Sequence, residues 1–233
     1  MTMTTVIKEG FRFYQEHFGK IFLINVTLVF PLLALQLWIS NYFYVIYEAM
    51  GYPGIGLIYG AMFSLVTFSL IQLPFIRLAL QYWKGEIIRL SDAYKCFLEN
   101  MFSVYIMSLV YVLLIGVGTL LFIVPGLLVL IVLFAFPYTV VVENKKGWSG
   151  WKCTMEVGKK YFFKIMMLIV IFGLGQWMVE LVFLTASFWF TDRFIIVALI
   201  QMGISMIFLP LFVFIFTSLY LEWIGADIDY FAY

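Results

Sequence analysis

Six long apolar runs follow one another along the chain, separated by shorter segments that hold most of the charge. Each run is about 20 residues or longer, the length that an α-helix needs to cross roughly 30 Å of hydrocarbon. The runs are continuously apolar and do not alternate, which favours helices over a transmembrane β-barrel. The pattern predicts an all-α polytopic membrane protein with one integral membrane domain over residues 1–233 and spans at 21–43, 56–82, 104–123, 125–142, 162–183 and 194–220.

Three charged segments share an amphipathic helical pattern. In the first segment the apolar positions recur at the spacing of one helical face. Adding 83 to the residue numbers of the first segment aligns it with the second segment, and adding a further 61 aligns it with the third, without a gap in either alignment. The matching positions are Ile7, Phe11, Tyr14 and Phe18 in the first, Leu90, Tyr94, Phe97 and Met101 in the second, and Trp151, Met155, Gly158 and Phe162 in the third.

This gap-free register predicts three parallel repeats, roughly residues 5–82, 88–143 and 147–223. Each would be an interfacial amphipathic helix followed by a transmembrane hairpin, giving a pseudo-threefold arrangement. The alternative is that any helix at a membrane surface shows such spacing. The same register also aligns the small residues Gly10, Ala93 and Thr154 and the polar residues His17, Asn100 and Tyr161.

The basic residues are distributed very unevenly. Thirteen of the 14 lie before the first run, between the second and third or the fourth and fifth, or at the run ends that adjoin these two connections. Only Arg193 lies in a connection on the opposite side. Because positive residues mark the cytoplasmic side, both termini are predicted to be cytoplasmic.

Composition excludes several classes of protein. Hydrophobic residues make up 65% of the chain and charged residues 12%, too little polar surface for a water-soluble domain of this size. A net charge of +1 argues against binding nucleic acid through an overall positive field. Two cysteines are too few for a disulfide framework. The charged N-terminal segment indicates no cleaved signal peptide.

The fourth run and the segment after it carry the most distinctive motif. It opens on Pro125-Gly126, passes to Pro137 and Glu143 at the end of the span, and closes on Phe162-Phe163-Lys164. This pattern resembles a bacterial family, the membrane domain attached to some glycerophosphoryl diester phosphodiesterases together with related YciC-type membrane proteins. The resemblance implies a helical fold in the bacterial cytoplasmic membrane and no particular activity.

Charged residues at the ends of spans are candidates for an ion network. At 1.5 Å per residue, Arg77, Glu143 and Glu222 each end a returning span at comparable depth. We expect Arg77 to pair with Glu143 or Glu222 and tie the hairpins together. The alternative is that each side chain reaches separately into the headgroup layer.

A second polar site is predicted at the opposite leaflet. Glu180 lies near the far end of the fifth span, with Gln176 one turn away and Arg193 across the following turn. We expect the Glu180 carboxylate to lie at that membrane interface and to pair with Arg193. Proton coupling is the alternative, with Gln201 facing Glu180 from the sixth span.

Prolines inside the spans offer a further alternative. Pro31 and Pro74 free backbone carbonyls, and Asn25, Gln36 and Gln72 lie nearby in sequence. Such side chains either bond neighbouring helices together or line a substrate path.

Enzyme motifs are missing from the sequence, and the only histidine, His17, has no metal-ligand partner at a suitable spacing. We therefore predict a non-enzymatic protein without metal or cofactor, either a lipid-interacting protein or an accessory subunit of a membrane complex. A small-solute or lipid transporter is the main alternative, and an intramembrane enzyme is disfavoured. The predicted contacts to anionic lipid headgroups are Lys8, Arg12, Lys20, Lys152, Lys159, Lys160 and Lys164.

Overall fold

The computed structural model describes the backbone of residues 3–188 and 194–226 and the side chains of residues 5–186 and 195–226. Every regular element in these ranges is helical, which confirms the all-α part of the predicted fold class. The α-helices are α1 (Met3–Glu16), α2 (Phe18–Ile24), α3 (Phe30–Ala49), α4 (Pro53–Ile71), α5 (Leu73–Trp83), α6 (Leu90–Leu121), α7 (Ile123–Leu133), α8 (Phe136–Val142), α9 (Gly147–Lys160), α10 (Phe162–Phe188) and α11 (Phe194–Trp223).

The part of the chain described contains six helical stretches that are long and apolar enough to cross a membrane. The six predicted spans are therefore confirmed as elements, and most extend a few residues beyond their predicted ends. The stretches are Phe18–Ala49, Pro53–Trp83, Leu90–Leu121, Ile123–Val142, Phe162–Ala186 and Ile195–Trp223.

Proline positions explain where several spans are interrupted. A proline lacks the N–H that a helix interior needs, so it is best tolerated in a first turn. Pro31 lies in the first turn of α3, Pro74 in that of α5 and Pro137 in that of α8. A short π-helix, Asn25–Val29, precedes α3. The Asn25 amide in this segment donates to the Met206 carbonyl of α11, at 2.8 Å.

The segment before the third span departs from the predicted pattern. His17 separates α1 from α2, and Tyr161 separates α9 from α10, with similar backbone angles (φ −118°, ψ 18° and φ −112°, ψ 23°). The corresponding Asn100 lies inside α6, which runs unbroken from Leu90. Its buried side chain donates to the Cys96 carbonyl one turn earlier, so no separate surface helix forms there.

The predicted apolar face of α1 is also not the face that packs inward. Phe11 and Phe18 are more than half exposed, whereas Val6 and Phe13 are buried. Gly10 lies on the buried face, against side chains of α11. The helix is apolar on two sides, and only one of them contacts the rest of the protein.

Packing is dense at one end of the bundle. Phe13 of α1 contacts Tyr82 near the end of α5, and Tyr161 after α9 stacks on Trp223 at the end of α11. We call this end the proximal side and the opposite end the distal side. The largest fully buried side chains come mainly from α5, α8 and α11, while α3 buries none of its side chains.

Consecutive spans meet at small residues. A Cβ atom on Gly56 of α4 would lie 2.7 Å from the Tyr44 Cα of α3, and one on Gly118 of α6 would lie 2.9 Å from the Gly126 nitrogen of α7. Both contacts leave no room for a side chain. Small residues therefore permit the close approach of α3 to α4 and of α6 to α7.

The contact between α9 and α7 is the tightest of this kind. A Cβ atom on Gly158 would lie 1.9 Å from the Val132 carbonyl oxygen, which is backbone and cannot rotate away. The buried Thr154 lies one turn earlier on α9. Gly158 thus allows α9 to lie flat against the fourth span.

We predict that Gly158→Ala destabilises the protein by about 1–3 kcal/mol or more, because an extra methyl forces α9 away from α7. Gly116→Ala is the matched control, since its Cβ would meet nothing within 4 Å. Thermal unfolding in one detergent measures both. Equal melting temperatures for the two variants would contradict the close contact.

Candidate functional site

A polar cluster surrounds Glu143, the residue that follows α8. Lys145 Nζ donates to Oε2 at 2.7 Å, and the Cys153 thiol of α9 lies 3.1 Å from the same oxygen. The Tyr220 hydroxyl of α11 donates to Oε1 at 2.5 Å. One carboxylate therefore connects the end of α8 with α9 and α11.

The cluster continues into the protein through hydroxyl groups. Tyr220 also shares a hydrogen bond with the Thr139 hydroxyl, at 2.9 Å. Thr154 donates to Thr139 at 2.9 Å, and both threonines are fully buried. The pattern of the sequence did not reveal Tyr220, Cys153 or Thr139 as partners, although Thr154 occupies the small-residue position of the repeat register.

These hydrogen bonds set the charge state of the cluster. Burial by itself would raise the pKa of Glu143, but donors from Lys145, Tyr220 and Cys153 outweigh it and lower the pKa below its ordinary 4.5. The same contact raises the pKa of Lys145. Burial and the neighbouring Glu143 carboxylate raise the pKa of the Cys153 thiol. Glu143 is thus ionised at neutral pH and Cys153 is a thiol.

Because the pKa of Glu143 is lowered on folding, its ionised form adds stability that is present above about pH 4.5 and is lost as the pH falls further. We predict that Glu143→Gln lowers stability at pH 7 by about 1–3 kcal/mol and flattens this acid dependence. Melting temperatures measured from pH 3 to pH 7 check the prediction, with Glu156→Gln on the exposed side of α9 as the control. A profile like that of the control would contradict it.

Arg77 does not join this cluster. Its guanidinium lies 3.7 Å from Glu86, in the connection after α5. Glu143 instead uses its oxygens for Lys145, Tyr220 and Cys153, so the structure does not bring Arg77 and Glu143 together. Glu222 lies exposed near the end of α11.

The predicted polar site on α10 is formed in part. Gln176 Nε2 donates to Glu180 Oε1 at 2.8 Å and lies 3.1 Å from the Ser205 hydroxyl of α11. Ser205 of the sixth span is therefore a hydrogen-bonding neighbour of Gln176, and the placement of Gln201 opposite Glu180 stays a prediction. Arg193, the expected ion-pair partner, lies outside the described residues.

A cavity of about 430 Å³ adjoins Gln176 and lies between the spans. Its lining comes from helices of all three predicted repeats: α3 and α4, α6 and α7, and α10 and α11. Most of the lining side chains are aliphatic or aromatic. The polar lining residues other than the Tyr111 phenol are Gln36, Ser64, Gln176 and Ser205.

The predicted headgroup-binding residues fall into two groups on the proximal side. Lys8, Lys152, Lys159, Lys160 and Lys164 are exposed. Arg12 is exposed but lies 2.8 Å from Glu16, and Lys20 donates to the Ile88 carbonyl at 2.8 Å. The first group therefore offers more available positive charge than the second.

Two exposed lysines lie over one aromatic side chain, and a third exposed lysine is their neighbour in the sequence. Lys160 and Lys164 lie 5.2 and 5.5 Å from the centre of the Tyr161 ring, and Lys159 is next along the chain. The ring stacks on Trp223 at 4.8 Å. We call Lys159, Lys160, Tyr161 and Lys164 the α9–α10 junction.

A second cavity, of about 550 Å³, lies between α1 and the α5–α6 connection. Its lining mixes both signs of charge, because Glu9 and Glu16 face it together with Arg12 and Lys20. Tyr82 donates to Glu9 at 3.0 Å. His17, the only histidine in the sequence, also lines it and stacks on Phe13.

Comparison with family models, curated proteins and solved structures finds no match to this chain. The resemblance to the phosphodiesterase-associated membrane domain therefore stays a prediction. Function has to be argued from the geometry of these sites.

Proposed function

We propose that the protein is a non-enzymatic integral membrane protein that binds anionic lipid headgroups on the cytoplasmic side of the bacterial cytoplasmic membrane. It would serve as a lipid-interacting protein or as an accessory subunit of a membrane complex. The observation that carries the proposal is the α9–α10 junction, where two exposed lysines lie over an aromatic side chain at the start of a span and a third exposed lysine precedes them.

The chemistry of the junction suits a lipid headgroup. Each basic residue near an anionic membrane surface contributes about 1 kcal/mol of attraction. Tyr161 and Trp223 are residue types that favour the headgroup layer, and their stacking fixes the ring between the lysines. The backbone break at Tyr161 turns the chain from α9 into α10, so the lysines lie where a surface helix meets a span.

The threefold repeat and the hairpin architecture belong to the same proposal. Gly10, Ala93 and Thr154 occupy equivalent positions of the register and are all buried. The positions three residues later are Phe13, Cys96 and Val157, which are also buried. Shared burial at equivalent positions supports three related units, each entering the membrane from the same side.

A transporter is the second candidate, because the 430 Å³ cavity lies between the spans. Aromatic rings fill the space between this cavity and the proximal side. The ring centres of Phe134 and Phe216 are 5.3 Å apart, and those of Tyr138 and Phe216 are 4.4 Å apart. A path for a polar solute would require these rings to separate. The packing therefore favours lipid binding over solute transport.

We expect Lys159→Gln, Lys160→Gln and Lys164→Gln together to weaken binding of a fluorescent phosphatidylglycerol to the detergent-solubilised protein. A loss of about 1 kcal/mol per lysine corresponds to about fivefold in Kd for each residue. Phosphatidylcholine binding should remain unchanged. Titration by fluorescence anisotropy measures both lipids.

The matched control replaces three exposed cations, Lys84 and Arg89 between α5 and α6 and Lys95 in the first turns of α6, with glutamine. It removes the same charge without changing the α9–α10 junction. An unchanged preference for phosphatidylglycerol in the junction variant would overturn the proposal. Equal weakening in both variants would also overturn it, because binding would then follow net charge alone.

A further inference from the structure

The lining of the 430 Å³ cavity changes with depth, from an apolar floor to a layer in which polar side chains lie among Leu65, Phe68 and Phe208. Distances along each helix from its proximal end, at 1.5 Å per residue, place the cavity's glutamine and serine side chains about 21–29 Å away. Three aromatic side chains, Phe134, Phe172 and Phe212, lie about 12–17 Å from the same side and form the floor of the cavity. The polar layer consists of Gln36 of α3, Ser64 of α4, Gln176 of α10 and Ser205 of α11.

The polar layer has hydrogen-bonding groups and, among the residues that the structure describes, one carboxylate nearby. Amide and hydroxyl side chains can both donate and accept. Gln176 links Ser205 to the carboxylate of Glu180, which lies one turn farther towards the distal side. A carboxylate at this position repels an anion and accepts hydrogen bonds from hydroxyl groups. The layer therefore suits an uncharged head group that carries hydroxyls.

The whole cavity, with its polar layer included, has about the volume of a short hydrocarbon chain and a small head group. At about 30 Å³ for each small heavy-atom group, 430 Å³ holds about 14 of them. The ring centre of Phe212 lies 5.8 Å from that of Phe134 and 5.2 Å from that of Phe172. Rings from α10, from α11 and from the turn between α7 and α8 therefore close the floor of the cavity. In a hydrocarbon solvent the molecules available to fill such a space are lipids.

From this change of lining with depth we infer that the cavity binds one hydrocarbon chain of a lipid with an uncharged, hydroxyl-bearing head group, inserted from the distal side with the chain against Phe134, Phe172 and Phe212. The site differs from the α9–α10 junction in ligand and in location. The junction takes an anionic head group on the proximal side. The cavity takes a chain and an uncharged head from the other side, so either site can exist without the other.

The test uses the full chain in phosphatidylcholine nanodiscs and a monoacylglycerol of about 14 heavy atoms whose chain ends in a photoactivatable diazirine. Mapping of the labelled peptides should place the label on the floor residues, Phe134, Phe172 or Phe212. Unlabelled monoacylglycerol should compete to saturation. A fatty acid of the same length should compete about tenfold less well, because its carboxylate meets Glu180.

Gly173→Leu is the blocking variant, since Gly173 lines the cavity and a Cβ there meets nothing within 4 Å. It should reduce specific labelling about tenfold or more by filling the space of the chain. Gly203→Leu on α11 is the matched control, because its Cβ is equally unobstructed and Gly203 is not among the lining residues. Ser64→Leu gives a second way to block the cavity if Gly173→Leu fails to fold.

Label found on lipid-facing residues such as Leu174 and Trp177, or labelling that the blocking variants leave unchanged, would overturn the inference. Stronger competition by the fatty acid would overturn the assigned head group. The lysine triple variant of the junction should label normally. Loss of labelling there would show that the two sites are not separate and would also contradict the inference.

Discussion

Close approach of helices at small residues is the constraint on which this bundle depends. Helices surrounded by hydrocarbon gain little from burying apolar side chains against one another, so association depends on packing contacts and hydrogen bonds. Gly56, Gly118 and Gly158 provide contacts in which a neighbouring backbone occupies the place of a side chain. The Glu143 cluster adds hydrogen bonds where α8, α9 and α11 meet. Gly56 and Gly118 join consecutive spans near the distal side, whereas Gly158 and the Glu143 cluster hold the proximal side together.

The distal side is built differently, and the difference creates the cavity. On the proximal side, buried rings of α8 and α11 fill the space between the spans. Farther along the helices the lining side chains leave 430 Å³ between them, and α3 buries none of its residues. A rigid proximal side can hold an open distal half in place. Both candidate sites follow from this division, since one uses the surface of the packed end and the other the space beyond it.

The sequence predicted the spans well because their signal is local. A run of about 20 apolar residues is sufficient evidence for a span, whatever it packs against. The Gln176–Glu180 hydrogen bond was predictable for the same reason, as residues four apart face each other on a helix. The Glu143 cluster was not, because Tyr220 is 77 positions away in the chain. Lys145 reaches Glu143 through a turn in which Asn144 adopts a left-handed conformation, with φ 53°.

Two other differences come from the apolar solvent. In water, the apolar face of a helix is the buried face, but beside lipid an apolar residue can contact either protein or hydrocarbon. Periodicity therefore selected Phe11 of α1 and Phe18 at the start of α2, while Val6 and Phe13 of α1 are buried in the protein. Residue type also did not predict where a helix breaks. His17 and Tyr161 each separate two helices, whereas Asn100, at the equivalent position, lies inside α6.

The π-helix at Asn25–Val29 has a consequence for how the first span can vary. A π turn accommodates one residue more than an α turn, so every side chain beyond it is rotated by about 100° relative to an uninterrupted α-helix. Gln36 faces the cavity in this rotated frame. Deleting one residue from the segment would restore a regular helix and direct position 36 elsewhere, whereas the proximal contacts of α2 would keep their orientation. The length of this short segment thus determines which face of α3 is presented to the cavity.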